Sequence, residues 1–250
     1  MTNDPIFWAV AAIAVILTGI SKGGFGGLAI LAVPMMALVM PPVQAAGIML
    51  PILVVMDWVG VATYQKLFDR KLLLLVLPGA VIGILAGYLL AGFVNDRAVR
   101  IAVGLIAVIF PIYAILKPQT GGSFIKGNRP LGAIAGALAG FTSFLAHAGG
   151  PPYQAYAIPQ ELDKRIYAGT AVMFFTVVNA VKLVPYGLLG QLDVTNLTIS
   201  LFLIPLAPVG VLLGAWLVKR VDQDLFYRIL YGLVFCVGLK LLWDGFALGT

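Results

Sequence analysis

Polar residues and glycines interrupt two long apolar stretches of the sequence, residues 8–39 and 130–159. The first interruption reads SKGGFGG, and its candidate site residues are Ser21, Lys22, Gly23, Gly24, Gly26 and Gly27. The candidate site residues of the second are Ser143, His147, Gly149, Gly150, Tyr153 and Gln154. Glycine lowers helix stability and proline removes a backbone donor, so each stretch is predicted to form two partial helices joined by irregular backbone.

These interruptions combine groups that suit an anion. The helix that begins after each glycine segment would direct free N–H groups and the positive end of its dipole at the interruption. Lys22 could face an anion, or its stem could extend to the nearer membrane surface. His147 could donate to an anion, exchange a proton or bond only to backbone. The serines, Tyr153 and Gln154 are neutral donors that either contact the anion or repair broken backbone hydrogen bonds.

A second group of polar residues lies inside apolar segments. Asp57 stands within one predicted helix, Asn179 stands within another, and Lys182 follows Asn179 by about one helical turn. A carboxylate surrounded by lipid must be paired or protonated. Two roles for Asp57 are equally compatible with the sequence: an ion pair with Lys182, or a carboxylate that exchanges protons.

The composition places all these residues in a membrane protein. Hydrophobic residues make up 61% of the 250 residues and charged residues only 10%, whereas a soluble domain is about a quarter charged. The net charge of +6 comes from short basic clusters between apolar segments, which favours membrane anchoring over binding of nucleic acid. The single cysteine, Cys236, excludes an internal disulfide framework, and the first residues lack the basic start of a signal peptide.

Apolar segments recur along the chain, and its two halves match each other. The clearest helical segments are 7–20, 43–64, 72–93, 98–116, 166–188, 194–218 and 225–248. A shift of about 122 residues aligns matching residue types in order: Ser21 with Ser143, Asp57 with Asn179, and Tyr64 with Tyr186. Glycines that allow close helix contact stand at four-residue spacing: Gly83, Gly87, Gly210 and Gly214. The chain is therefore predicted to be a duplicated unit.

Basic residues indicate how the halves are oriented, because Lys and Arg concentrate in cytoplasmic loops. If each interrupted stretch is a hairpin that returns to its own side, one face receives only Arg97 and Arg100 and the other nearly all remaining basic residues. The predicted fold is an all-α integral membrane protein with one membrane domain, residues 1–250. It comprises two inverted repeats, about 6–117 and about 130–248, each with a broken helical hairpin plus three transmembrane helices. Both termini are expected on the periplasmic or extracellular side.

Two motifs carry a resemblance to a known family. The second half contains GFTSFLAHAGGPP at 140–152 and LDK at 162–164, and the first half contains GISKGGFGG at 19–27 followed by Pro34. These motifs resemble the signatures of the TauE/SafE sulfite exporter family, and the similarity extends over about residues 7–244. The resemblance implies a multi-pass secondary carrier of the bacterial inner membrane that moves sulfite, sulfonates or related small anions, driven by the proton gradient.

Three functions fit the residues. A secondary transporter of small anions accounts for the duplication and both interruptions, and the sequence has no G-x-x-x-x-G-K-[ST] motif for direct use of ATP. An anion channel would use the same donors along a continuous wet path. An intramembrane enzyme would use Ser143 as nucleophile and His147 as base, but no residue that would orient His147 accompanies them. The expected partners are a small anionic substrate, protons, the lipid bilayer and a second copy in a homodimer, with no nucleic acid, cofactor or metal.

Overall fold

The chain is helical throughout the part that the structure describes. The computed structural model describes residues 4–25, 28–64, 66–91, 93, 95–116, 125–217, 220 and 223–247. Its α-helices are α1 Pro5–Ile20, α2 Ala32–Met36, α3 Pro42–Tyr64, α4 Arg70–Ala91, α5 Asp96–Leu116, α6 Arg129–Ala146, α7 Gly150–Ala157, α8 Lys164–Leu188, α9 Val194–Leu203, α10 Leu206–Leu217 and α11 Gln223–Ala247. The prediction of an all-α protein is confirmed for these residues.

Several helices have the length and composition of membrane spans. Among the described residues the spans are Pro5–Gly23, Pro42–Ala62, Arg70–Ala91, Arg129–Ala146 and Arg165–Leu188, and the bent pair of α9 and α10 forms a possible sixth. Their outer surfaces expose large aliphatic side chains such as Leu74, Ile82 and Val184, each at least 64% exposed. Apolar surface of this extent is stable against lipid rather than water, so the chain is a multi-pass membrane protein.

The segment 194–218, predicted as one helix, is two helices. α9 ends at Leu203, α10 begins at Leu206, and the pair is bent by 46° at the break. Pro205 and Pro208 remove two backbone donors within one turn, which interrupts the helix. Pro78 stands alone in α4 and leaves that helix continuous. The prediction of a single helix is therefore wrong at this bend.

The second interrupted stretch forms a hairpin. α6 ends at Ala146, His147 adopts the left-handed backbone conformation with φ 52°, and α7 begins at Gly150. A Cβ on Gly149 would lie 2.6 Å from the carbonyl oxygen of Ala139, which lies in the middle of α6. The chain therefore folds back after α6, and α7 begins beside the middle of α6. At 1.5 Å per residue, Ala139 lies about 15 Å along α6, near half the thickness of a bilayer core.

The first interrupted stretch is built differently. α1 continues into a π-helical turn, Ser21–Phe25, and a 3-10 turn, Leu28–Leu31, precedes α2. α2 packs back against α1 and has only five residues. The partial helix predicted to begin directly after the glycines is thus a 3-10 turn followed by a short α-helix. Gly26 and Gly27 lie outside the described residues. A π-helical turn contains one residue more than an α-helical turn and is frequent at functional sites.

Two pairs of long helices lie antiparallel. As residue numbers increase along α3, those of the contacting residues of α8 decrease: Asp57 contacts Asn179, Gly60 contacts Val172, and Tyr64 contacts Gly169. In the pair formed by α5 and α11, Nε of Arg97 donates to the carbonyl oxygen of Gly245 at 2.9 Å, and Gly104 lies against Gly238. The central contact, between Asp57 and Asn179, joins the two residues that the internal shift aligns.

Glycines allow two parallel helix pairs to pack backbone against backbone. In the pair formed by α4 and α6, a Cβ on Gly83 would overlap the carbonyl oxygen of Ala137. In the pair formed by α1 and α10, a Cβ on Gly19 would lie 2.7 Å from the Cα of Gly210. The predicted close-contact role is confirmed for Gly83, Gly87, Gly210 and Gly214.

One end of the bundle collects basic residues. Asp69 lies in the connection between α3 and α4, and its amide donates to Oγ1 of Thr170, near the start of α8, at 2.8 Å. α3 therefore ends at this end of the bundle, and α4 and α8 begin there. The start of α6 lies at the same end, where Gly132 packs against Leu75. We call this the basic end, after Lys66, Arg70, Lys71, Lys126, Arg129 and Arg165. Arg97 and Arg100 lie at the opposite end, because α5 begins where α4 ends.

Candidate functional site

A cavity of about 230 Å³ lies between the two interrupted stretches. α3, α6, α7, α8 and the π-helical turn contribute to its wall. Its polar side chains deep in the protein belong to Ser21, Lys22, Ser143, His147, Tyr153, Gln154 and Asn179. Tyr64 and Tyr167 line its other part, which extends toward the basic end.

Lys22 forms an ion pair with Asp57. Asp57 is 2% exposed, and its second carboxylate oxygen accepts a hydrogen bond from Nδ2 of Asn179 at 2.6 Å. Nζ of Lys22 also lies 5.7 Å from the centre of the Phe175 ring, a distance that allows a cation–π interaction. The ion pair between Asp57 and Lys182, one of the two roles predicted for Asp57, is wrong, because Lys22 and Asn179 occupy the two carboxylate oxygens.

Lys182 is fully buried and donates to three neutral acceptors. They are the carbonyl oxygen of Ser143 at 3.1 Å, its hydroxyl oxygen at 3.0 Å, and Nδ1 of His147 at 2.7 Å. Nε2 of His147 lies 2.9 Å from the carbonyl oxygen of Ala46, which can only accept, so Nε2 carries the ring proton. Three acceptors match the three N–H bonds of an ammonium group. A neutral amine fits the same distances when it donates to the Ser143 carbonyl group and to Nδ1 of His147 and accepts from the Ser143 hydroxyl.

Lys182 and Tyr186 satisfy the last carbonyl groups of α6. The carbonyl group of Ser143 accepts from Lys182, and that of Phe144 accepts from the Tyr186 hydroxyl at 2.5 Å. The ring of Tyr186 stacks on His147, with ring centroids 6.2 Å apart. The carboxyl end of a helix carries partial negative charge, so a cation there stabilises the break.

Tyr153 lines the cavity and carries a buried hydroxyl group. This hydroxyl has no hydrogen-bond partner within the described ranges. The ring is fixed by stacking on Phe174, with ring centroids 4.7 Å apart. A buried polar group without a partner costs about 1–3 kcal/mol. An unpartnered hydroxyl group on a lining residue makes Tyr153 a candidate donor to a ligand.

Glycines shape the rest of the wall. A Cβ on Gly150 would meet only Nε2 of Gln154, at 4.0 Å, so Gly150 faces open space in the cavity. Gly149 has no such space, because a Cβ would lie 2.9 Å from that of Ser143. Gly23 lines the cavity, and Gly24 lies in the π-helical turn. The wall thus combines one lysine, several hydroxyl and amide groups, and backbone that a ligand can approach closely.

The chain matches the family model described as sulfite exporter TauE/SafE over residues 11–241. It belongs to the TauE/SafE family. The matched range includes every residue that lines the cavity, and the resemblance found in the sequence motifs is confirmed. No curated protein and no solved structure matched the chain.

This TauE/SafE protein brings together most residues that the sequence placed in two separate groups. The candidate residues that line the cavity are Ser21, Lys22, Gly23, Ser143, His147, Gly150, Tyr153, Gln154 and Asn179. Asp57 and Lys182 lie directly behind them, and Gly149 shapes the turn into α7. Their role in binding a substrate stays a prediction.

Ser143 and His147 do not form a nucleophile and base pair in this TauE/SafE protein. Both bond to Lys182, and both ring nitrogens of His147 are engaged. A general base needs a free nitrogen within reach of the serine proton, so the geometry lacks the basis of the enzyme hypothesis. In the part of the chain that the structure describes, no group of three or more His, Cys, Asp or Glu residues could hold a metal ion.

The sequence interpretation missed a stripe of α8 that this TauE/SafE protein uses as cavity wall. Its members are Tyr167, Ala171, Phe175 and Asn179, at four-residue spacing. Residues four apart share one face of a helix. Counting backwards from Asn179 in steps of four would have identified the stripe.

Proposed function

We propose that this chain is a secondary transporter that exports small anions, such as sulfite, sulfonates or related organic anions, across the bacterial inner membrane. The anion binds in the cavity between the two interrupted stretches, and the proton gradient drives its export. Membership of the TauE/SafE family supports the transport of an anion.

The observation that carries this proposal is the set of donors around the cavity. Lys22 supplies a cation that is still 18% exposed, Tyr153 has a hydroxyl group without a hydrogen-bond partner among the described residues, and Ser143 has a hydroxyl group that bonds to Lys182. A cation and hydroxyl groups around a cavity favour a negatively charged ligand, because hydrogen bonds to an ionised acceptor are strong. A volume of about 230 Å³ lies below the roughly 300–1,000 Å³ of pockets for drug-sized ligands, which suits a small anion.

The helix contacts support the proposal that the two repeats are inverted. α3 and α8 occupy equivalent positions in the repeats and lie antiparallel, as do α5 and α11. The other contacts occur in both directions between the repeats. α1 of the first repeat packs against α10 of the second. α6 is the equivalent of α1 in the second repeat, and it packs against α4, the equivalent of α10 in the first. A two-fold axis in the plane of the membrane produces this pattern, which is typical of transporters with a central site.

The charge distribution supports an orientation with the basic end in the cytoplasm, because Lys and Arg concentrate on that side. Tyr64 and Tyr167 line the part of the cavity nearest this end. An anion would therefore enter from the cytoplasm, as export requires. α1 begins and α11 ends at the opposite end, so both termini would be periplasmic or extracellular.

We assign proton coupling to Asp57. It is the one buried carboxylate among the described residues, and Lys22 and Asn179 hold its two oxygens. Protonation of Asp57 would release Lys22 from its ion pair, which links proton binding to the charge that an anion meets.

Uptake into proteoliposomes tests the function. The purified chain, supplied with sulfite, a series of sulfonates and small carboxylates, should give saturable flux that rises with anion on the opposite side and with a pH gradient. Flux that is thousands of times faster and does not saturate would indicate a channel. Absence of flux for every anion would contradict the proposal.

A further inference from the structure

The wall of the cavity has a polar part and an apolar part. On α8, Asn179 belongs to the polar part, and Phe175 follows one turn nearer the basic end. Nζ of Lys22 lies 5.7 Å from the centre of the Phe175 ring, so the cation lies near the same level. The next lining residues of α8 toward the basic end carry no polar atom in their side chains: Val172, Ala171 and Ala168. The cavity therefore offers an apolar surface beside its cation.

We infer that this apolar surface binds a hydrocarbon group attached to the transported anion, and that Ala171 determines the size of that group. The inference rests on the proposed function, because it concerns the anion that the same cavity transports. It assigns separate roles to two parts of the wall. The donors around Lys22 hold the charged group, and the side chains of α8 around Ala171 contact the hydrocarbon group.

Ala171 stands between two aromatic residues. Phe175 lies four residues after it and Tyr167 four residues before it, so the three side chains share one face of α8. At 1.5 Å per residue, each aromatic residue is about 6 Å from Ala171 along the helix axis. Ala171 is only partly buried and lines the cavity. Its small side chain therefore leaves space between the two rings.

The cavity is larger than an inorganic anion needs. A water molecule in the liquid takes about 30 Å³, and on that scale the four heavy atoms of sulfite occupy about 120 Å³. The cavity volume is about 230 Å³. An inorganic anion held at Lys22 would therefore leave much of the cavity, including the space beside Ala171, to another occupant.

Water is a poor occupant of the space beside Ala171. A buried water molecule forms about two to four hydrogen bonds, and the side chains of Ala171, Val172 and Ala168 provide no partner. Their backbone groups lie within α8, where the hydrogen bonds of the helix use them. An apolar group that displaces poorly held water gains affinity. A hydrocarbon group on the anion is therefore favoured over the water that it replaces.

Alkanesulfonates of increasing length test the inference, because they share one charged group and differ only in the hydrocarbon group. Dissociation constants of methanesulfonate, ethanesulfonate, 1-propanesulfonate and 1-butanesulfonate are measured by calorimetry on the purified full chain in detergent, at constant ionic strength. For the wild-type chain, affinity should rise up to about fourfold with each added methylene group, as expected when that group is buried. The rise should end once the hydrocarbon group fills the space beside Ala171.

Two variants change the size of this space in opposite directions. Ala171→Leu fills it, so the ratio of the dissociation constants of methanesulfonate and 1-propanesulfonate should fall from about ten to about one. Val172→Ala removes two carbon atoms from the wall and should extend the rise in affinity to a longer alkanesulfonate. Ala180→Leu is the matched control, because Ala180 is exposed on the same helix, and it should leave the ratio unchanged. Melting curves in detergent show which variants fold.

The outcomes separate this inference from the proposed function. If methanesulfonate binds but longer alkanesulfonates bind no better, or if folded Ala171→Leu keeps the wild-type ratio, the inference fails and the function stands. If no alkanesulfonate binds, the inference fails, and uptake of sulfite and carboxylates into proteoliposomes decides the function separately. Should Ala171→Leu not fold, Val172→Ala decides, because an unchanged dependence on chain length in that variant overturns the inference.

Discussion

Tyr153 and His147 occupy positions that lower the stability of the folded chain. Tyr153 buries a hydroxyl group without a partner in the described structure. His147 holds a left-handed backbone conformation, which costs a residue other than glycine about 1–3 kcal/mol. Both side chains line the cavity. We propose that a hydrogen bond from Tyr153 to an anion offsets the first cost, whereas His147, whose two ring nitrogens are already bonded, acts by positioning Lys182.

Replacing Tyr153 by Phe separates stability from binding. Tyr153→Phe should raise the melting temperature of the ligand-free protein, because it removes a buried hydroxyl group whose lack of a partner costs about 1–3 kcal/mol. The same change should weaken anion binding several-fold. Tyr186→Phe is the matched control, since it removes a hydroxyl that already bonds to the carbonyl group of Phe144 and should lower the melting temperature. A Tyr153→Phe variant that binds as tightly as the wild type would exclude a contact with the anion.

Removing either polar side chain at the two interruptions should weaken binding. Lys22→Ala eliminates the only charged lining residue in the described structure, and His147→Ala eliminates an acceptor that holds Lys182 beside Ser143. Each change is expected to raise the dissociation constant for methanesulfonate about tenfold, because Lys22→Ala removes a charged donor to the anion and His147→Ala removes a bond that positions Lys182. Lys240→Ala provides the control, because Lys240 pairs with Asp244 on the exposed face of α11. Unchanged affinity in both variants, measured on folded protein, would remove them from the site.

The sequence identified most polar residues of the site but not their pairing. Lys22 and Asp57 are opposite charges in apolar segments, which is the condition for a buried ion pair. Lys22 lies within the π-helical turn Ser21–Phe25, where side chains do not follow the spacing of an α-helix. The sequence of the glycine-rich segment does not predict a π-helical turn. The sequence therefore offered Lys182 as a partner of Asp57, with proton exchange by Asp57 as the equal alternative.

At the scale of elements, the glycine contacts hold each interrupted stretch against a continuous helix. α6 packs against α4 and α1 packs against α10, in both cases through glycines without side-chain atoms between the backbones. The interrupted helices therefore have a fixed neighbour on one side, while the breaks themselves face the cavity. This packing positions Lys22 and His147 although the backbone around them is irregular.

Gly83→Ala should destabilise the protein through this packing. The new Cβ would overlap the carbonyl oxygen of Ala137, which belongs to a helix backbone and cannot move away alone. We expect a loss of about 1–3 kcal/mol, the usual cost of overpacking. Gly187→Ala, where the Cβ meets nothing within 4 Å, should be neutral or stabilising. Equal melting temperatures for the two variants would contradict the close packing of α4 on α6.

Sequence periodicity and composition located the long helices, because a segment of about twenty apolar residues in lipid satisfies its backbone hydrogen bonds by forming a helix. The ends and bends of the helices were harder to predict. Pro78 and Pro205 look alike in the sequence, yet only the second lies at a break, where Pro208 follows within one turn. The loss of two neighbouring donors, not the presence of proline, decides where the helix bends.

At the scale of the whole molecule, the antiparallel pairs connect the two halves through their equivalent parts. α3 meets α8 and α5 meets α11, so each half completes the wall of the other. Neither half contains the whole cavity, because Lys22 comes from the first and Ser143, His147 and Asn179 come from the second. Relative movement of the halves would therefore change access to the anion, as alternating access requires.

Thiol labelling tests the orientation of the bundle. In a Cys236→Ser background, cysteine at position 93, where Phe93 is 90% exposed, should react with a membrane-impermeant maleimide added outside spheroplasts. Cysteine in place of Lys126, at the basic end, should react only after the membrane is opened. The physical reason is the preference of basic loops for the cytoplasm. Labelling of Lys126→Cys alone from outside would indicate the reverse orientation. Labelling of both positions from outside would contradict the proposed orientation.

The hydrogen bond between Asp57 and Asn179 bears on how the chain arose. If gene duplication produced the two halves, their common ancestor paired with itself and carried the same residue at both positions. Two aspartates there would have set like charges at 2.6 Å, and two asparagines would have supplied no carboxylate for an ion pair. Divergence at this one position resolves the conflict, and a fused chain can diverge where a symmetric pair of identical subunits cannot.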